Sequence, residues 1–171
     1  QASSASIVSI MTALYFNILR PEDRVAVKPH ASPVFHAIQY LSGLQTKEKI
    51  ENFRGFGGAQ SYPSRTKDID DVDISTGSVG LGVAMTSFIS LIQDYIARKQ
   101  FYKNKPLGRM IALVGDAELD EGNVYECLQE GWKHDLRNVW WIIDYNRQSL
   151  DGVVHEGLSE RLSSVFSAFD W

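Results

Sequence analysis

The sequence predicts an α/β fold with a mostly parallel sheet and helices on both faces. Three observations predict it. Two short apolar runs, Met110-Ile111-Ala112-Leu113-Val114 and Val139-Trp140-Trp141-Ile142-Ile143, each end at glycine or polar residues, the pattern of strands buried on both faces. The segment between them, Gly122 to His134, has the length and patterning of a crossover helix, so the pair reads as a βαβ unit. Arg24-Val25-Ala26-Val27-Lys28, closed by Pro29, adds a short earlier strand.

The remaining elements follow in order. An opening helix from about Ala5 to Leu19 carries Ile7, Ile10, Met11, Leu14, Tyr15 and Ile18 on one face. His30 stands at the start of a helix from Pro33 to Leu41, with Gly43 as its C-cap. Thr46 caps a short helix reaching Phe53. Arg54 to Thr76 is irregular and holds Gly55, Gly57, Gly58, Pro63 and the acidic cluster Asp68, Asp70, Asp71, Asp73. Loops of that length in compact domains are commonly functional, and this one reads as an ordered active-site loop around Phe53, Phe56 and Tyr62.

Thr76-Gly77-Ser78-Val79-Gly80-Leu81-Gly82 then opens the longest helix, which runs to about Lys99. Its expected buried face is Leu81, Ala84, Phe88, Leu91, Ile92, Tyr95 and Ile96. Free N–H groups at such a glycine-rich entrance favour anions. A final helical stretch precedes Phe169. Trp132, Trp140 and Trp141 are expected in core or interface packing, and His134 and His155 in solvent.

Bulk properties narrow the function. At 171 residues the chain is one domain by length, and 44% hydrophobic content is enough for a real core. A net charge of −4 without a basic run gives no electrostatic footprint for nucleic acid. No stretch approaches the roughly 20 apolar residues of a membrane span, and no signal peptide opens the chain. The lone Cys127 can form no internal disulfide; a buried structural thiol in a reducing, cytoplasmic setting is expected. Helical pattern begins directly after Gln1-Ala2-Ser3-Ser4 and stops just before Phe169-Asp170-Trp171, so the chain reads as a fragment of a larger protein.

The chemistry lies at the strand ends. Gly115-Asp116 follows the first apolar run and Asp144-Tyr145-Asn146 the second, so Asp116 and Asn146 emerge at the carboxyl edge of one sheet, where open α/β sheets bind ligands. A carboxylate, an amide oxygen and a nearby backbone carbonyl form a hard-oxygen set suited to Mg²⁺ beside a diphosphate.

Gly115-Asp116, its spacing to Asn146, Thr76-Gly77-Ser78-Val79-Gly80 and His30 in Lys28-Pro29-His30-Ala31-Ser32-Pro33 together resemble the diphosphate-binding domain of thiamine-diphosphate enzymes of the transketolase superfamily. The resemblance runs from about Ser4 to Trp171. Asn146-Arg147-Gln148-Ser149-Leu150-Asp151-Gly152 and Asn52-Phe53-Arg54 with Ser61-Tyr62-Pro63 look most like the homodimeric pyruvate dehydrogenase E1 component. Transketolases tend to carry a histidine in the loop near Tyr62, and this chain has none there.

The resemblance implies that Asp116, the Asn146 side chain and the Gln148 carbonyl bind Mg²⁺. It implies backbone N–H groups around Ala117 and Glu118, after Gly115, holding the diphosphate, His30 reaching a phosphate oxygen, and Gly77, Ser78 and Val79 lining the cofactor near its pyrimidine. Glu121 and Glu126 resemble catalytic acids that join a proton path between active sites at a subunit interface. The implied partners are a second copy of the parent protein and, for an E1, a lipoyl acyltransferase component. The acid that activates the cofactor comes, by the same resemblance, from a pyrimidine-binding domain of the partner protomer that this chain lacks, so the fragment alone is expected to be inactive.

Two positions depart from the family pattern: Ala117 stands where a glycine is usual, and Pro29 replaces a glycine before His30. A positive φ at Ala117 would be strained, and Pro29 removes an N–H donor. Transketolase is the second reading. Two rivals come from outside the family. Gly115-Asp116-Ala117-Glu118-Leu119-Asp120 with Asp71-Val72-Asp73-Ile74-Ser75 mimics an aspartate-nucleophile phosphatase, but polar residues precede Asp71 where a buried strand is needed. A purely structural assembly domain is opposed by the intact Asp116, Asn146 and Gly77.

Overall fold

A computed structural model describes residues 2–101, 105–149, 152–153 and 156–171. Leu150, Asp151 and His155 lie outside the described residues. Helix α1 (Ala2–Ala13) continues through one wider turn, Leu14–Ile18, into strand β1 (Arg24–Ala26). A 3-10 turn (Pro29–Ala31) leads into α2 (Ser32–Leu41) and α3 (Lys47–Glu51). After the long loop come α4 (Leu81–Arg98), β2 (Met110–Gly115), a 3-10 turn (Asp116–Asp120), α5 (Gly122–Lys133) and β3 (Val139–Asp144). A small hairpin, β4 (Gln148–Ser149) with β5 (Gly152–Val153), and α6 (Leu158–Ala168) complete the order.

Among the described residues the main sheet runs β1-β2-β3, all parallel, with Ile74 bridging in parallel to Ala26 beyond β1. Strand side chains alternate between two cores, as a period of two requires. Val25, Val27, Ile111 and Leu113 pack with Ile7, Met11 and Leu14 of the opening helix and Phe35 and Ile38 of α2. Ala26, Ala112 and Val114 pack on the opposite side with Val83 of α4, Val124 of α5, and Leu162 and Phe166 of α6. Both faces of the sheet are covered, as the continuous apolar runs predict.

Local chemistry sets the helix ends. Thr46 accepts the Lys49 N–H at 3.3 Å, a side-chain cap on α3. Gly43, at φ +77°, ends α2 in the left-handed conformation glycine accommodates. Cys127 is buried, and burial first, then Glu126 and Glu130, push its thiol up to about 11. His134 is exposed beside Glu130.

The α4 face differs from expectation. Of the residues expected inside, only Ala84 is buried; the buried side is Gly82, Val83, Ala84, Thr86, Ser87 and Ser90. Leu81, Met85, Phe88, Ile92 and Tyr95 form a seam at three- and four-residue spacing that stays outside, with Tyr95 59% exposed. The cause is close approach to the sheet. A Cβ on Gly82 would stand 3.0 Å from Thr76 Cγ2 and 3.3 Å from the Ala26 methyl, so only small side chains fit on that side. Trp132 is also largely exposed, donating to Asp170 at 3.0 Å. Trp141 stacks with Trp171 at 4.5 Å, and Trp140 carries the Arg109 guanidinium 4.3 Å above its ring.

One buried ion pair ties the amino ends of β1 and β2 together. The Arg109 guanidinium reaches the Asp23 carboxylate, and the Arg109 N–H donates to the same group at 2.7 Å. Burial would raise the Asp23 carboxyl, but hydrogen bonds from Arg109 and the Arg20 N–H outweigh it and hold the group below its ordinary range. Its contribution is therefore complete above the unfolded carboxyl value of about 3.9 and is lost as pH falls through the lower folded value. Asp23→Ala, leaving Arg109 without its partner, is expected to cost about 3–5 kcal/mol in urea unfolding; a loss below about 1 kcal/mol would contradict this account of the pair.

Candidate functional site

The parallel register sets Gly115 opposite Asp144, so the chain leaves β2 and β3 through the same edge at adjacent points. Asp116 is buried there, 3% exposed, at the start of its 3-10 turn. Its Oδ2 accepts the Arg147 N–H at 2.7 Å and its Oδ1 the Ala117 N–H at 3.1 Å. These bonds draw the Asn146-Arg147 turn onto Asp116. Arg147 holds φ +60°, a left-handed conformation costing about 1–2 kcal/mol outside glycine and kept here by the Asp116 contact. Among the described residues Asp116 has no ion-pair partner. A buried carboxylate so placed is one that a divalent cation would neutralise.

Beside it lies a buried ion pair that sequence reasoning missed. Lys28 Nζ stands 2.8 Å from Asp144 Oδ2, with both side chains nearly inaccessible. Lys28 crosses the face of Gly115, where a Cβ would meet its Cε at 3.0 Å. Ser6 Oγ donates to Asp144 Oδ2 at 2.6 Å, and the Asn146 amide nitrogen lies 3.4 Å from both that oxygen and Ser6 Oγ. No local signal marked the pair: β1 and β3 are not neighbours but flank β2, and Lys28 crosses Gly115 of β2 to reach Asp144.

The α4 entrance is partly self-satisfied. Gly80, at φ +72°, donates its N–H to Glu118 Oε1 at 3.1 Å, so the anion held by that donor is the chain's own carboxylate. Burial raises the Glu118 carboxyl, opposed by the Gly80 and Gly115 N–H groups and by Lys28. Gly77, Ser78 and Val79 precede this point; Val79 accepts from the Asn123 amide at 3.1 Å. Ser78 Oγ lies 3.5 Å from the Tyr62 hydroxyl, and the His30 ring 6.2 Å from the Tyr62 ring. His30, Tyr62 and Ser78 thus meet although they are far apart in sequence. Pro29 opens its 3-10 turn, where an N–H is dispensable, and Ala117 is not among the positive-φ residues, so neither departure strains the backbone.

Glu121 caps α5 close to Glu118, whereas Glu126 is exposed on the outer side of that helix. Gln148 follows Arg147 in β4, its backbone paired with Val153. The loop carboxylates have structural partners. Asp68 accepts the Gln60 and Ser64 N–H groups, Asp70 pairs with His36, and Asp73 accepts the Val25 N–H at 2.9 Å. Asp71 is exposed in an irregular segment, so the phosphatase loop is absent.

A parallel sheet with covered faces and a carboxylate-plus-amide pair at its carboxyl edge defines a nucleotide- or diphosphate-type α/β domain. The chain belongs to the family described as "Transketolase, thiamine diphosphate binding domain", whose profile matches residues 20–171. It is 29% identical over 161 residues to a transketolase of Staphylococcus aureus, covering 92% of this chain and 24% of that protein. It is also 29% identical over 180 residues to the pyruvate dehydrogenase E1 component of Pseudomonas aeruginosa, covering 99% of this chain and 20% of that protein. The chain therefore spans a quarter or less of the length of those two relatives. Among solved structures, transketolase from Leishmania mexicana matches with a TM-score of 0.78 at 20% identity, over 96% of this chain and 29% of that one. That likeness is one of fold. Among the described residues no helix is long and apolar enough to cross a membrane.

The Lys28–Asp144 pair carries a measurable consequence. Lys28→Met and Asp144→Leu should each destabilise the fold, and the double variant should recover part of the loss, with a coupling of about 1–3 kcal/mol in a double-mutant cycle. Additive effects would show that the two charges do not support one another.

Proposed function

We propose that this chain is the Mg²⁺–thiamine-diphosphate-binding part of a cytoplasmic 2-oxo acid dehydrogenase E1 of the pyruvate type, which oxidatively decarboxylates pyruvate and passes the acetyl group to a lipoyl carrier. The observation that carries the reading is the convergence at the sheet edge: buried Asp116, without an ion-pair partner among the described residues, bonded to the turn that presents Asn146. The donor set fits the group. Asp116, the Asn146 side-chain oxygen and the Gln148 carbonyl would hold Mg²⁺, and the Glu118 N–H with His30 would face the diphosphate, the Ala117 N–H being held by Asp116 Oδ1. Ser78 and Val79, after Gly77, would line the pyrimidine side. Bound there, the cofactor supplies the carbon nucleophile that the side chains of this chain lack.

The residues of the chain bind and orient. Lys28 keeps Asp144 neutralised, so the remaining buried carboxylate at the edge, Asp116, is the one offered to a cation. Glu121, which interacts electrostatically with Glu118, and the exposed Glu126 would join a proton path towards a second protomer. The exposed α4 seam supports a homodimer of the parent protein, its heptad-like spacing suiting helix pairing across a two-fold axis. A lipoyl acyltransferase component is the further partner. The chain alone is inactive, because the acid that activates the cofactor belongs to another domain. Transketolase is the second reading, favoured by the equal identity to transketolase and E1 relatives.

Titration calorimetry on the full-length protein tests the site. Thiamine diphosphate should bind only with Mg²⁺, and Asp116→Ala or Asn146→Ala should weaken it by about 100-fold or more; unchanged affinity would overturn the assignment. Pyruvate-dependent reduction of an artificial electron acceptor supports the E1 reading, and turnover of a ketose phosphate instead supports transketolase. Phe88→Glu with Ile92→Glu should weaken dimerisation by about 30-fold or more in sedimentation. A dimer of undiminished strength would place the interface elsewhere.

A further inference from the structure

The loop between α3 and α4 is pinned from within by one histidine. His36 of α2 is 1% exposed. Its Nδ1 lies 2.6 Å from Asp70 Oδ2 and its Nε2 2.8 Å from the Gln60 carbonyl oxygen. Both partners are acceptors. A neutral imidazole has a single N–H, so two such bonds require the doubly protonated ring. Asp70 also accepts from the Gln45 amide, and Asp68 accepts the Gln60 N–H at 2.9 Å and the Ser64 N–H at 2.8 Å.

The charged groups facing the ring, Asp70 and Asp68, both come from the loop. Its ring neighbours are Phe35 of α2 and Phe53 in the turn after α3, both uncharged. The ligand atoms of His36, Asp68 and Asp70 lie within 4.8 Å of one another, the spacing of a metal site. Both ring nitrogens are already engaged, however, so the proton takes the place a metal would need. The loop so held carries Tyr62, which touches Ser78 and His30 at the cofactor site.

We propose that His36 is a positioning residue for that site: its imidazolium latches the loop from Gln60 to Asp70 onto α2, keeping Tyr62 against His30 and Ser78. Loss of the proton breaks one of the two bonds and leaves a buried acceptor unpaired. The cofactor half of this inference rests on the thiamine-diphosphate reading; the latch itself does not. Burial would lower the basicity of His36, but the bonds to Asp70 and Gln60 and the charges of Asp70 and Asp68 raise it overall. A group raised on folding stabilises fully below its unfolded value of about 6.5 and ceases to do so as pH rises through the folded value. The latch therefore opens on the alkaline side.

Amide hydrogen exchange of the full-length protein, read by mass spectrometry across pH 6–9 and corrected for intrinsic base catalysis, tests it. Protection of the peptide containing Gln60 to Ser64 is expected to fall by about tenfold or more as pH rises. Asp70→Asn, whose amide can donate to an unprotonated Nδ1 while Nε2–H still reaches Gln60, should remove the fall and leave protection high across the range. His36→Gln should leave protection low and flat. Protection independent of pH in the wild-type protein would overturn the latch, and the wild type alone decides this if a variant fails to fold. Thiamine-diphosphate affinity, measured with Mg²⁺ in the same buffers, should follow the loop. Affinity that stays constant while the loop opens would overturn the positioning role. Absence of binding at every pH would instead remove the cofactor reading, with the exchange profile still judging the latch.

Discussion

The parallel ladder between β2 and β3 is the constraint on which the rest depends. Because the strands run the same way, both exits fall on one edge, and the register sets Gly115 beside Asp144. Beyond those residues the ladder stops, and backbone donors need new acceptors. Asp116 provides them, taking the N–H of Arg147 and of Ala117 on its two oxygens. A one-residue slip would exchange the two cores and carry Asp116 away from that turn. The same ladder that buries Ile111, Leu113 and Val114 thus fixes the position of the polar edge.

Charge at this edge is apportioned rather than merely accumulated. Asp144 is matched by Lys28, and Glu118 is directed to the entrance of α4 through the Gly80 N–H. Asp116 is the buried member matched only by backbone donors among the described residues. Removing one member of a buried ion pair costs several kcal/mol, so the Lys28–Asp144 pair supports the fold at this edge. A second polar cluster, around His36, is closed by a proton instead. The two clusters meet through Tyr62, which bridges the pinned loop and the residues beside the edge.

The architecture was legible because it rests on short-range patterns. Apolar runs ending at Gly115 and Asp144, a crossover helix between them, and Thr46 and Gly43 as helix ends are all local signals, and the structure follows them. The α4 face was misread because amphipathic patterning assumes that large apolar residues face the core. Here the sheet comes so close at Gly82 that small residues do, and Phe88 and Ile92 remain outside. Lys28–Asp144 and His36–Asp70 were not legible, since each joins residues brought together only by the sheet or by a long loop. Asp68, Asp70 and Asp73 read as an acidic cluster, and their roles as acceptors for Gln60, His36 and Val25 became visible only with the partners in place.

Manganese, a stand-in for Mg²⁺ with a strong anomalous signal, provides the most direct test of the central claim. Crystals of the full-length protein grown with thiamine diphosphate and Mn²⁺ should show one anomalous peak at the sheet edge, between Asp116 and Asn146, with the diphosphate beside it. A peak among His36, Asp68 and Asp70, or cofactor bound away from Asp116, would contradict it.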